Sequence, residues 1–83
     1  MTKPTRYDSA NTLRENCLAA AARASGEPKA QLEEAARLAG LAADNFTTAA
    51  ALGRAHPEGR SYWTKGLRRL EKAYRLREAT TYL

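Results

Sequence analysis

Ala10, Leu13, Cys17, Ala20, Ala21 and Ala24 recur at three- and four-residue steps near the start of the chain. At about 100° per residue they fill one arc of about 100°, which predicts an amphipathic helix over 9–24 with one buried face. Asp8 or Ser9 stands where an N-cap is needed, with a side-chain oxygen for the free amides of the first turn. Residues Met1 to Tyr7 hold Pro4 and no repeat, which predicts a mobile lead-in. Gly26 and Pro28 close this helix and open the next, glycine as a stop and proline as a first helical residue.

The second segment, 28–52, is apolar over a much wider arc. Leu32, Ala35, Ala36, Ala39, Ala42, Ala43, Phe46, Ala49 and Ala50 share one face, and Leu38, Leu41 and Leu52 extend it to about 220°. A helix that is apolar on two sides needs two neighbours, so this segment is expected at the centre of the bundle. Gly53 to Arg60 carries Gly53, Pro57 and Gly59 and predicts a connection. Ser61 then caps a third helix over 61–80, with Trp63, Leu67, Leu70 and Tyr74 at 4-3-4 spacing as its core face. At about 1.5 Å per residue the three helices span roughly 24, 38 and 30 Å, so the middle one outruns the first.

Composition agrees with helices throughout. The 83 residues include 18 Ala and 10 Leu but no Val or Ile, the two aliphatic residues that best fit a pleated sheet. The expected fold class is all-α: a small three-helix bundle with a long, alanine-rich central helix, in one domain spanning 1–83. No apolar run reaches the roughly 20 residues that cross a bilayer, and no apolar stretch follows the charged start as in a secretory signal. A single cysteine, Cys17, cannot make an internal disulfide. The expected setting is cytoplasmic, with no membrane partner.

Charge changes the picture at the C-terminal end. Residues 1–53 hold six basic and six acidic side chains, whereas 54–83 hold eight basic and three acidic, so the whole +5 lies in the last 30 residues. Lys65, Arg68, Arg69, Lys72 and Arg75 fall opposite the aromatic face of the third helix, with Arg60 and Tyr62 near its start. These seven residues are the candidate partner-binding set. Such a stripe suits an acidic protein surface or groove, or the phosphates of a nucleic acid; otherwise it is a solvated face. Trp63, in phase with Leu67, Leu70 and Tyr74, is expected in the core, and Tyr62 is the better contact residue.

The stretch Leu32 to Ala49 resembles a helix-turn-helix motif, with Ala36 as its small residue, Gly40 as its turn and Leu41, Phe46 and Ala49 as buried positions. The resemblance implies a recognition helix from Asp44 to Ala51, where Asn45, Thr47 and Thr48 would face bases. That helix has no Lys or Arg, the residues that most often read guanine and flank it with phosphate contacts. One uninterrupted helix with Gly40 as a close-packing site is the favoured reading.

Nothing in the chain assembles a catalytic, cofactor or metal site. His56, the single histidine, lies in the Pro/Gly-bearing connection and suits a loop or capping role rather than general base work. Cys17 falls on an inward face, and the adjacent Glu33 and Glu34 point about 100° apart on a helix. The expected function is therefore non-enzymatic: a small regulatory, adaptor or inhibitor protein acting through protein–protein contacts, of a size common among proteins of phages and other mobile elements. The alternative is a nucleic-acid-binding regulator that uses the basic third helix or the motif at 32–51. The overhanging, alanine-rich second helix also makes a homodimer an expectation to be tested.

Overall fold

The computed structural model describes residues 5–53 and 55–81, and these form three helices: α1 (Arg6–Arg23), α2 (Gly26–Leu52) and α3 (Pro57–Thr80). The order and class are those expected, and the central helix is the longest. At about 1.5 Å per residue, α1, α2 and α3 run about 27, 40 and 36 Å.

All three helix starts lie upstream of their expected places, α2 at Gly26 rather than Pro28. α1 begins with Thr5, whose hydroxyl accepts from the Asp8 amide while the Asp8 carboxylate accepts from the Thr5 amide, both at 3.1 Å. This reciprocal cap makes Arg6 and Tyr7 helical where a lead-in was expected; residues 1–4 of that lead-in lie outside the described residues. α3 begins at Pro57 rather than Ser61, because His56 Nδ1 accepts from the Glu58 amide at 3.1 Å and Pro57 needs no amide partner in a first turn. His56 therefore has the capping role expected of it. The boundary between α1 and α2 falls at Ala24 and Ser25, and Gly26 takes φ 65°, a left-handed value that glycine adopts without strain.

α2 lies between the other two, which scarcely touch each other. Ala10, Leu13, Cys17 and Ala21 of α1 are buried, as the spacing requires. On α2, Leu32, Ala35, Ala36, Leu38, Ala39, Ala42, Ala43, Phe46 and Ala49 are buried, and the alanines let both neighbours approach closely. The result is flat, with extents of 44 × 28 × 17 Å. Its radius of gyration, 13.6 Å, exceeds the roughly 12 Å of a compact domain of this length.

The chain does not turn at Gly40. α2 is continuous from Gly26 to Leu52, so the stretch that resembles a helix-turn-helix has no turn. At Gly40 a Cβ would meet the Cδ of Arg14 at 3.3 Å, a close contact, but with one flexible side chain rather than with a helix backbone. The closest approaches are on α3. A Cβ on Gly66 would stand 2.7 Å from the Phe46 ring, and one on Gly59 would stand 2.4 Å from the Gly53 carbonyl oxygen.

α3 is rolled relative to expectation. Its buried positions are Gly59, Gly66, Leu70 and Ala73, so small residues seven apart form the seam against α2. This seam is turned by about 60° from the Trp63–Leu67–Leu70–Tyr74 stripe, at 100° per residue. Trp63 is 40% exposed and Tyr74 46% exposed, while Leu67 is half-buried. The expectation that Trp63 anchors the core is thereby corrected: its ring packs on the edge of the core against Phe46, with centroids 5.0 Å apart and a 60° tilt.

Candidate functional site

Because small residues make the seam, α3 presents two further surfaces. The outward one carries the cations. Arg60, Lys65, Arg68, Lys72 and Arg75 are all exposed on it. Arg60, Lys65, Arg68 and Lys72 form no ion pair among the described residues, whereas Arg75 bonds Glu71 at 2.6 Å one turn back. Such an exposed pair is worth a few tenths of a kcal/mol, about 0.3–0.5. It leaves the arginine available to a partner.

Two of the seven candidate residues are held rather than free. Arg69 is half-buried, and its Nη1 donates to Oδ1 of Asn45 on α2 at 2.7 Å. Asn45 is itself the one buried polar residue among those described. Arg69 thus fastens α3 to α2 and offers a partner less of its charge than its neighbours do. Tyr62 is half-buried, with the Lys65 ammonium 5.3 Å from its ring centroid. That distance is within the range of a cation–π contact.

On α2, near Lys72, the charges are paired. Glu34 bonds Arg37 on its own helix, Arg37 Nε to Oε2 at 2.9 Å. This bond holds the Glu34 carboxyl below the usual carboxylate range, and the charge of Lys72 adds to the effect. Farther along, Gln31 Nε2 donates to the Leu76 carbonyl at 3.0 Å and ties the C-terminal half of α3 to the start of α2. The cations therefore sit on a helix fixed along its length.

The second surface of α3 is the apolar stripe itself. Leu67 and Tyr74, with the rim of the buried Leu70, wall a groove whose opposite wall is α1, with Arg6, Ser9, Thr12, Leu13 and Asn16. Tyr74 lines each of the three hollows along this groove. Beyond the end of α1, Trp63 continues it with Ala49, Ala50, Gly53, Gly59 and Arg60 around an apolar notch of about 440 Å³. Ala50 is exposed there because α1 reaches only as far as Asp44, with which Tyr7 and Asn11 share a hollow. The spacing of the stripe was legible in the sequence; its exposure was not.

Cys17 is buried, and loss of hydration pushes its thiol above the usual range, against a partial pull downward from Arg77. A thiol so placed is held in its unreactive form. Among the described residues no three His, Cys, Asp or Glu side chains cluster as metal ligands would, and no helix is long and apolar enough to cross a membrane. No family model, curated protein or solved structure matches the chain.

Proposed function

We propose that this chain is a small, non-enzymatic interaction protein, a cytoplasmic regulator, adaptor or inhibitor that docks on an acidic protein through α3. The observation that carries the reading is the pairing on one helix of exposed aromatics with unpaired cations. Trp63 and Tyr74 stand 40% and 46% exposed on one side, Arg68 and Lys72 project from the other, and Arg60 lies beside Trp63 at the start of the helix. Aromatic residues and arginine are the types enriched where proteins bind one another, and bundled together they supply both apolar anchor and steering charge. The partner-facing set is Arg60, Tyr62, Lys65, Arg68, Lys72 and Arg75, with Arg69 bracing it through Asn45.

Nucleic-acid binding is the second reading, favoured by the run of unpaired cations along the outward face of α3. Salt dependence separates the two. Binding to arbitrary duplex DNA whose affinity falls steeply between about 50 and 200 mM salt, by a factor of about 10³ or more, would favour nucleic acid. Recovery from the native host of one protein, retained after nuclease treatment and lost with Arg68→Glu/Lys72→Glu, supports the protein partner. Retention of that protein by the charge-reversed variant would remove α3's outward face from the interaction.

A further inference from the structure

We infer that the groove between α1 and α3 receives a helix from an acidic partner, which completes the bundle as a fourth helix; this rests on the protein-docking reading above. The groove has the form such a ligand needs. Its wall on α3 is the Leu67–Leu70–Tyr74 part of the stripe, with α1 across from it, and Trp63 extends the same face beyond the end of α1. From Leu67 to Thr81 it runs about 21 Å, about four turns of a straight helix. Hollows lie along the groove around Tyr74, and an amphipathic helix offers side chains at i, i+3, i+4 and i+7 to fill such a row. The seam explains why the aromatics are left over: Gly59, Gly66, Leu70 and Ala73 pack α3 on α2 and Leu67 leans on that core, so Trp63 and Tyr74 remain exposed.

Charge identifies the occupant. Arg6 on the α1 wall, Arg75 and Arg77 on the α3 wall and Arg60 beside Trp63 border the groove, against Glu71 and Glu78. Arg75 already neutralises Glu71. The border is thus net cationic. A second copy of this chain is a poor fit, because residues 54–83 carry eight basic and three acidic side chains and would bring like charge to like. An amphipathic helix with a glutamate-rich polar face is matched in both shape and sign.

The test uses the full chain and two synthetic 18-residue helical peptides with the same leucine face, one with glutamate and one with lysine on its polar positions, titrated by fluorescence anisotropy. The glutamate peptide is expected to bind at least tenfold more tightly than the lysine peptide. Tyr74→Ala and Thr12→Glu, one on each wall, should each weaken it at least tenfold while the circular dichroism spectrum stays native. Thr12 is exposed on α1 and lies away from the cations of α3, so its effect reads the groove alone. If both wall variants bind as the parent does while Arg68→Glu/Lys72→Glu abolishes binding, the groove proposal fails and docking on the cationic face stands. If the glutamate peptide does not bind at millimolar concentration, or if the chain is a dimer at micromolar concentration that Tyr74→Ala dissociates, the acidic helix is not the occupant.

Discussion

Gly66 lies against the ring of Phe46 so closely that a methyl group on its Cα would stand 2.7 Å from Cε1 and 2.9 Å from Cδ1. Phe46 cannot easily yield, since it is buried and its ring also meets Trp63. The whole placement of α3 depends on this approach. Gly66→Ala is expected to destabilise the fold by about 1–2 kcal/mol, overpacking outweighing the gain in helix propensity of up to about 1 kcal/mol. The midpoint of thermal unfolding should fall by about 4–8 °C per kcal/mol for a domain of this size.

The opposite sign is expected at Gly40. A Cβ there meets only the Arg14 Cδ at 3.3 Å, part of an exposed and flexible side chain that can move aside. Gly40 is also in the interior of a continuous helix. Gly40→Ala should therefore stabilise the protein by about 0.5–1 kcal/mol, read as an upward shift in the denaturant midpoint. A loss of stability would mean that the chain bends or packs closely at Gly40.

Asn45 and Arg69 form the polar tie between α2 and α3, at 2.7 Å and partly buried. Removing the amide should cost about 1–2 kcal/mol, since a charged group loses a hydrogen bond in a partly dry setting. Asn45→Ala and Arg69→Ala should not be additive. A double-mutant cycle is expected to return a coupling of about 1 kcal/mol, whereas a coupling near zero would show the bond to be absent in solution.

Cys17 offers a check on burial. Its thiol should react with iodoacetamide far more slowly in the native protein than in denaturant, because it is both covered and held protonated. Burial raises its folded pKa above the unfolded one. Its contribution to stability is thus complete at neutral pH and is lost as pH climbs above about 8.5, where the unfolded thiol ionises first. The denaturant midpoint should drop as pH rises above about 8.5, and part of that drop should vanish in Cys17→Ala.

How much of this was legible in the chain differs by helix. For α1 and α2 the apolar positions alone sufficed, since Ala10, Leu13 and Cys17, or Leu32, Ala35 and Ala39, allow one solution for the inward face. The helix starts were harder. Histidine is not among the usual N-cap residues, so His56 read as loop or cap alike while Ser61 took the helix start, and the Thr5–Asp8 cap lay hidden within an apparently featureless start. α3 misled through side-chain size. Its largest apolar residues looked like the core, but closeness of backbone approach decided the packing, and the seven-residue recurrence of Gly59, Gly66 and Ala73 was the available signal. The cations were placed on the outward face as expected, yet only the geometry could show that Arg69 is tied to Asn45 while Arg68 and Lys72 are not tied to anything similar.

That α3 packs through its small residues and leaves its aromatic stripe for a partner is tested most directly by urea unfolding of Tyr74→Ala. Tyr74 is 46% exposed beside a buried Leu70. A loss below about 1 kcal/mol is expected, as for a surface substitution. A loss of about 3–5 kcal/mol, typical of an aromatic removed from a core, would place Tyr74 inside the bundle and contradict the docking wall.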